Sequence, residues 1–251
     1  MIYIINLETK PVSKQAENKQ GKKAFLFIYP IPEYINQEIK NRAILFKTPY
    51  LKYMFEGRKE EAEELIKSRG EECEKEFREF YKEKINLCIN LRYRQKGFSI
   101  IYALFDKHPM SMVVDLYPGD KVLRVGKDFA SFNTKTQDGS NYPNPDLLLD
   151  KLTEFQTLRF GGFHLWDCVN RFAGRAYERG FDTLVDEDLT ELFTSNILKK
   201  DFRLDIYPSI IYTDHFKRQI DMEEYLNARR GKPWFWQDYD KLLELPYFDN
   251  Y

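Results

Sequence analysis

Two short runs constrain the architecture of this chain more than anything else in it. Residues 24–29 read Ala24-Phe25-Leu26-Phe27-Ile28-Tyr29 and stop at Pro30; residues 98–105 read Phe98-Ser99-Ile100-Ile101-Tyr102-Ala103-Leu104-Phe105. Neither alternates apolar and polar positions over its length. A strand with one wet face alternates with a period of two, whereas a brief, continuous apolar run bounded by turn residues fits a strand covered on both faces. Shorter runs at Lys121–Val125, Thr157–Phe160 and Phe181–Val185 extend the series. Segments of helical period stand between several of them. Strands alternating with helices build βαβ units, so the expected fold class is α/β, a mostly parallel sheet with helices on both faces.

The helical pattern is clearest from about Lys59 to Lys96. Ala62, Leu65, Ile66, Cys73, Phe77, Phe80, Tyr81, Cys88 and Leu91 recur at three- and four-residue intervals, with Glu and Lys between them. Gly70 is expected to divide this stretch into two helices, because an interior glycine costs about 1 kcal/mol relative to alanine. Gly97 then supplies a left-handed stop. A short helix is expected over Pro145–Leu152 and another from about Asp167 to Arg179, ended by Gly180. Ile2–Leu7 and Arg203–Tyr212 are candidate outer strands. With no internal repeat and no low-complexity linker, one domain over 1–251 is favoured, carrying a helical insertion at about 59–96 and an aromatic tail at about 213–251. In that tail, Pro233-Trp234-Phe235-Trp236 reads as an aromatic cap or a partner contact.

Charge narrows the function classes. Lys and Arg number 39 against 40 Asp and Glu, a net charge of -1. Nucleic-acid binders usually carry a basic excess or stripe, and here the short basic clusters at 198–203 and 228–232 are offset by acids elsewhere. No nucleic-acid partner is expected. No run reaches the roughly 18 apolar residues that cross a bilayer, and MIYIINLETK lacks the basic start and long apolar stretch of a secretory leader. The expectation is a cytoplasmic protein with no membrane partner. Three cysteines, Cys73, Cys88 and Cys168, have no CxxC spacing, which suggests neither a zinc site nor a disulfide framework.

The chemistry concentrates in residues 158–189. A strand leads into Gly161-Gly162, a few loop residues follow, and Cys168-Val169 opens a helix whose Val169, Phe172, Ala173, Ala176 and Tyr177 share one face. Cys168 therefore belongs at a helix N-terminus beyond the carboxyl end of a strand, where open α/β sheets place their ligand crevices. Free amides and the helix dipole there lower a thiol's pKa, and the same N–H groups suit an oxyanion. The alternative is a small buried core cysteine, which is common.

These residues resemble the isochorismatase-like (cysteine hydrolase) superfamily, whose pattern is a strand, a glycine, a short loop, Cys-Val, and a helix ending in a basic residue and glycine. Gly162, Cys168-Val169 and Arg179-Gly180 carry that resemblance, and the strand running into Asp186-Glu187-Asp188 fits it. Upstream, Pro118-Gly119-Asp120, Lys127 and Ser131-Phe132 are similar to the family's turn, lysine and Ser/Ala-Phe segment. Leu91-Arg92 and Lys96-Gly97 are similar to the helix that ends before its second strand. The likeness covers about residues 24–190. It implies a three-layer α/β/α fold, an Asp–Lys–Cys triad, a small amide- or ester-like substrate and a tendency to form homo-oligomers. Carried over, Cys168 is the nucleophile and Lys127 stands beside it.

One position departs from the pattern. The family's first strand ends in aspartate, and here Tyr29 stands there. A tyrosine, with an unperturbed pKa near 10, is a poor replacement for a carboxylate base. Asp106 and Asp167 are the candidate substitutes, although Asp167 better suits a helix cap. The departure supports a second reading, a catalytically inactive member that binds, senses or assembles. Tyr29, Phe129, Phe132, His164 and Trp166 are the expected substrate-binding residues, the aromatic ones favouring a flat ring. No cofactor is expected. Asp106-Lys107-His108-Pro109 is similar to the Asp-x-His-Pro segment of nicotinamidases, which makes Asp106 and His108 weak candidates for a divalent metal.

Overall fold

The structure is a computed structural model that describes residues 21–44, 49–106, 109–110, 112–126, 144–199, 202–209, 224 and 226–236. Five strands, β1 (Lys22–Ile28), β2 (Ser99–Leu104), β3 (Lys121–Arg124), β4 (Phe155–Gly162) and β5 (Asp182–Val185), form one sheet in the order β3-β2-β1-β4-β5. Every pairing is parallel; Leu26 lies opposite Ile101 on one side and Phe160 on the other. The α/β class read from the apolar runs holds. β1 is central, and its alternate residues serve two cores. Ala24, Leu26 and Ile28 face one, while Phe25 and Phe27 face the other, and all five are buried. Full burial of one such phenylalanine contributes roughly 1.5–3 kcal/mol.

On one face lie α4 (Asp146–Leu149) and α5 (Asn170–Glu178), which bring Leu148, Leu149, Phe172, Ala173 and Ala176 against β1, β2 and β4. Tyr177 does not join them. It is half exposed and rests against Trp234, with ring centroids 5.8 Å apart. The other face is covered by α1 (Pro32–Ala43), α3 (Lys59–Arg92) and α6 (Phe193–Asn196), with α2 (Tyr50–Phe55) packed on α3. Helix α1 was not expected. Its signals are Pro32 in the first turn, where a missing N–H costs nothing, and Ile35, Ile39 and Ala43 buried one turn apart.

Helix α3 runs through Gly70 without a break, roughly 50 Å of continuous helix at 1.5 Å per residue. The expected division fails because the cost of one glycine is outweighed on both sides. Arg69 pairs with Glu72 at 3.2 Å and Arg78 with Glu74 at 2.8 Å, and Cys73, Phe77, Tyr81, Ile85, Cys88 and Ile89 are buried in sequence beyond it. Gly97 is left-handed, with φ 77°, and ends the 3-10 turn Arg94–Lys96 that follows the helix. Residues 203–209 form no strand where an outer strand was expected; 204–208 are bends, and the Arg203 and Leu204 carbonyls accept from Arg92 on α3. The rest of that segment and Ile2–Leu7 lie outside the described residues. Among the described residues, no helix is long and apolar enough to cross a membrane.

Candidate functional site

The carboxyl ends of the first four strands are tied into one rim. The Tyr29 amide donates to the Ala103 carbonyl at 2.9 Å, Val125 to Leu104 at 2.9 Å and Asp106 to Gly126 at 2.8 Å. Beside them β4 ends in its glycine pair. An added Cβ on Gly162 would sit 2.5 Å from the Ile28 carbonyl oxygen, and φ there is 144°. Only glycine permits so close an approach of β4 to β1.

Residue 29 occupies the first position of this rim. Tyr29 is the one described non-glycine residue with positive φ, 51°, a conformation costing about 1–2 kcal/mol for most L-residues. Packing holds it there. Its ring stacks on Phe105 at 4.0 Å and meets the edge of Phe172 at 6.2 Å. The hydroxyl donates to the Val125 carbonyl at 3.4 Å. Burial pushes its phenol well above the ordinary range, and the nearby Cys168 and Asp106 push the same way. A neutral phenol therefore stands where the resemblance calls for a carboxylate.

Cys168 lies on a single wide turn, Leu165–Val169, in which Val169 and Asn170 bond five residues back, to His164 and Leu165. Such π-type turns are rare and recur at functional sites. The turn's first amide, from Leu165, donates to the Glu191 carboxylate at 2.8 Å. Glu191 was not anticipated, and its only sequence signal is its place after β5. Cys168 is 5% exposed within the core that includes Tyr29, Leu165 and Phe172. Burial pushes the thiol up to about 12, and the neighbouring Asp167 adds to this while Arg171 only partly opposes it. The lowering expected of a helix start is thus reversed, because the turn buries the sulfur instead of presenting it to solvent.

The remaining candidates divide. His164 is half-buried, its ring 4.6 Å from Tyr34, and burial lowers its pKa. Trp166 is 45% exposed and turned toward the chain's C-terminal part, 5.2 Å from Phe235 and 5.0 Å from the Arg229 guanidinium. Asp167 makes no cap; it accepts from Arg171 at 3.1 Å. Asp106 is exposed. Lys127, Phe129, Phe132 and His108 lie outside the described residues, although Gly126, the neighbour of Lys127, ends the strand-end rim. Among the described residues, no group of three or more His, Cys, Asp and Glu is gathered to hold a metal ion.

A second polar cluster follows β5. Arg92, 2% exposed at its side chain, donates to Asp186 at 2.9 Å and to Asp188 at 3.0 Å, and also to the carbonyls of Arg203 and Leu204. Tyr93 donates to Asp186 at 2.6 Å, and Glu187 between them is paired with the buried Arg229. All three consecutive acids thus have internal partners, on α3 and on the segment 226–236.

No protein-family model matches the chain, and no curated protein matches it. Among solved structures, the crystal structure of N-carbamoylsarcosine amidase from Thermoplasma acidophilum is similar to it at 14% identity, over 67% of this chain and 83% of that one, with a TM-score of 0.34.

Proposed function

We propose that this chain uses an isochorismatase-like scaffold without cysteine-hydrolase chemistry, and acts by binding, as a sensing or assembly protein. Tyr29 carries the reading. In the position of the family's acid stands a buried phenol, stacked on Phe105 and bonded to a backbone carbonyl. A group held protonated at neutral pH cannot take a proton from a thiol. The thiol beside it is likewise held protonated, so neither partner supplies the thiolate that nucleophilic attack requires. The reading involves no bound cofactor and has the chain self-associating in the cytoplasm.

One observation favours the rival reading, a hydrolase attacking a small amide or ester through Cys168. The sulfur lies on a rare π turn beyond the carboxyl end of a parallel strand, where such sheets place their ligands. A single assay separates the two. The full chain is incubated at pH 7.5 with a panel of small primary amides, carbamoyl compounds and esters, beside Cys168→Ala. No turnover above the alanine variant is the expected result. Turnover that disappears with the sulfur would overturn the proposal in favour of an acyl-enzyme released by water.

A further inference from the structure

The segment 226–236 grips the turn that carries Cys168 from both sides. Two residues before the cysteine, the Trp166 ring meets Phe235 at 5.2 Å, with the Arg229 guanidinium 5.0 Å and the Lys232 ammonium 5.1 Å from its centroid. Two residues after it, the Asn170 side chain accepts from the Trp234 indole at 2.9 Å. Phe235 is 1% exposed and belongs to the same core as Cys168, Leu165 and Val169. The segment is also tied to β5 and to the acids that follow it. The Trp234 carbonyl accepts from Val185 at 2.8 Å, on the edge strand of the sheet, and Arg229 is paired with Glu187. The Trp234 indole also lies over Gly174, where an added Cβ would sit 3.1 Å from the ring.

Between these two grips runs the wide turn itself, a rare interruption of regular helical bonding. The turn is held at both flanks by one and the same segment. We propose that residues 226–236 are a releasable strap whose seating keeps the Cys168 turn closed, so that access to the sulfur is governed by the strap. This rests on the geometry around the turn and not on whether the thiol performs hydrolysis. It gives the sensing role a physical device, since anything that displaces Trp234 or Phe235 uncovers the cysteine.

Gly174 offers a way to unseat the strap without altering it. Gly174→Leu puts a helix-favouring side chain into α5 and occupies the place of the indole. Phe235→Ala removes the core anchor independently and serves if the first variant does not fold. Each full-length protein is treated with iodoacetamide at pH 7.5, and modification of all three cysteines is followed by peptide mass spectrometry. Cys73 and Cys88, both buried on α3, report on general loosening within the same molecule. The expected result is a rise of at least tenfold in the Cys168 rate with Cys73 and Cys88 unchanged. Unchanged Cys168 in a variant whose red-shifted tryptophan emission shows the strap displaced, or a parallel rise at all three sites, would overturn the proposal. The amide and ester panel is a separate readout, so loss of one reading leaves the other standing.

Discussion

At the scale of single residues, side chains here take their chemistry from burial more than from sequence neighbours. Cys168 was locatable in the sequence because a glycine pair, a Cys-Val step and an amphipathic helix are all local. Its protonated state was not, because that depends on Tyr29, on Phe172 and on a turn wider than helical periodicity describes. Asp188 shows the same dependence. Burial raises its carboxyl to about 6, with the Asp186 charge adding and Arg92 and the Ser209 N–H opposing. An unfolded aspartate titrates near 3.9. Between about pH 4 and 6 the folded chain therefore holds a proton that the unfolded chain has lost. Stability from this group is greatest below pH 4 and falls as the pH rises through that window. Urea unfolding at pH 4, 5, 6 and 7 should show a downward component that Asp188→Asn removes. Identical pH profiles for the two proteins would refute it.

At the scale of elements, the strands were readable and the helix boundaries less so. β1 and β2 carry their double-sided burial in composition alone, since Ala24–Ile28 and Ile100–Leu104 offer no polar alternation, and the polar residues Lys22, Lys23 and Ser99 stand at the strand starts. The helix over 59–92 was visible by its period, but its continuity was not, because a glycine's local cost is known from sequence while the packing that outweighs it is not. That packing yields a direct expectation. Among the described residues, only an Ile66 methyl at 3.9 Å lies within 4 Å of a Cβ added to Gly70, and the position lies inside a regular helix. Gly70→Ala should stabilise the protein by about 1 kcal/mol, read as a higher midpoint in thermal unfolding. A lower midpoint would mean that the glycine is needed for a bend or a contact at that point.

At the scale of the whole molecule, the acids after β5 join parts of the chain that the sequence keeps far apart. Pattern reading places Asp186-Glu187-Asp188 after a strand, but nothing local reveals that their partners are Arg92 and Arg229. Replacing Arg92 with methionine keeps the volume and strands two buried carboxylates. Removing one member of a buried ion pair costs about 3–5 kcal/mol, so Arg92→Met should lower the unfolding free energy by that amount at pH 7. Adding Asp186→Asn and Asp188→Asn should restore part of it; a triple variant no better than the single one would count against charge as the cause. The separation of these partners also bears on how the protein is made. Arg92 leaves the ribosome 94 residues ahead of Asp186, and Glu187 precedes Arg229 by 42 more. At synthesis rates of about 5–20 residues per second, the guanidinium waits roughly 5–20 s for its first carboxylate. The pairing of Glu187 thus waits for residue 229, and a nascent chain halted before it lacks the guanidinium that this buried glutamate holds in the folded protein.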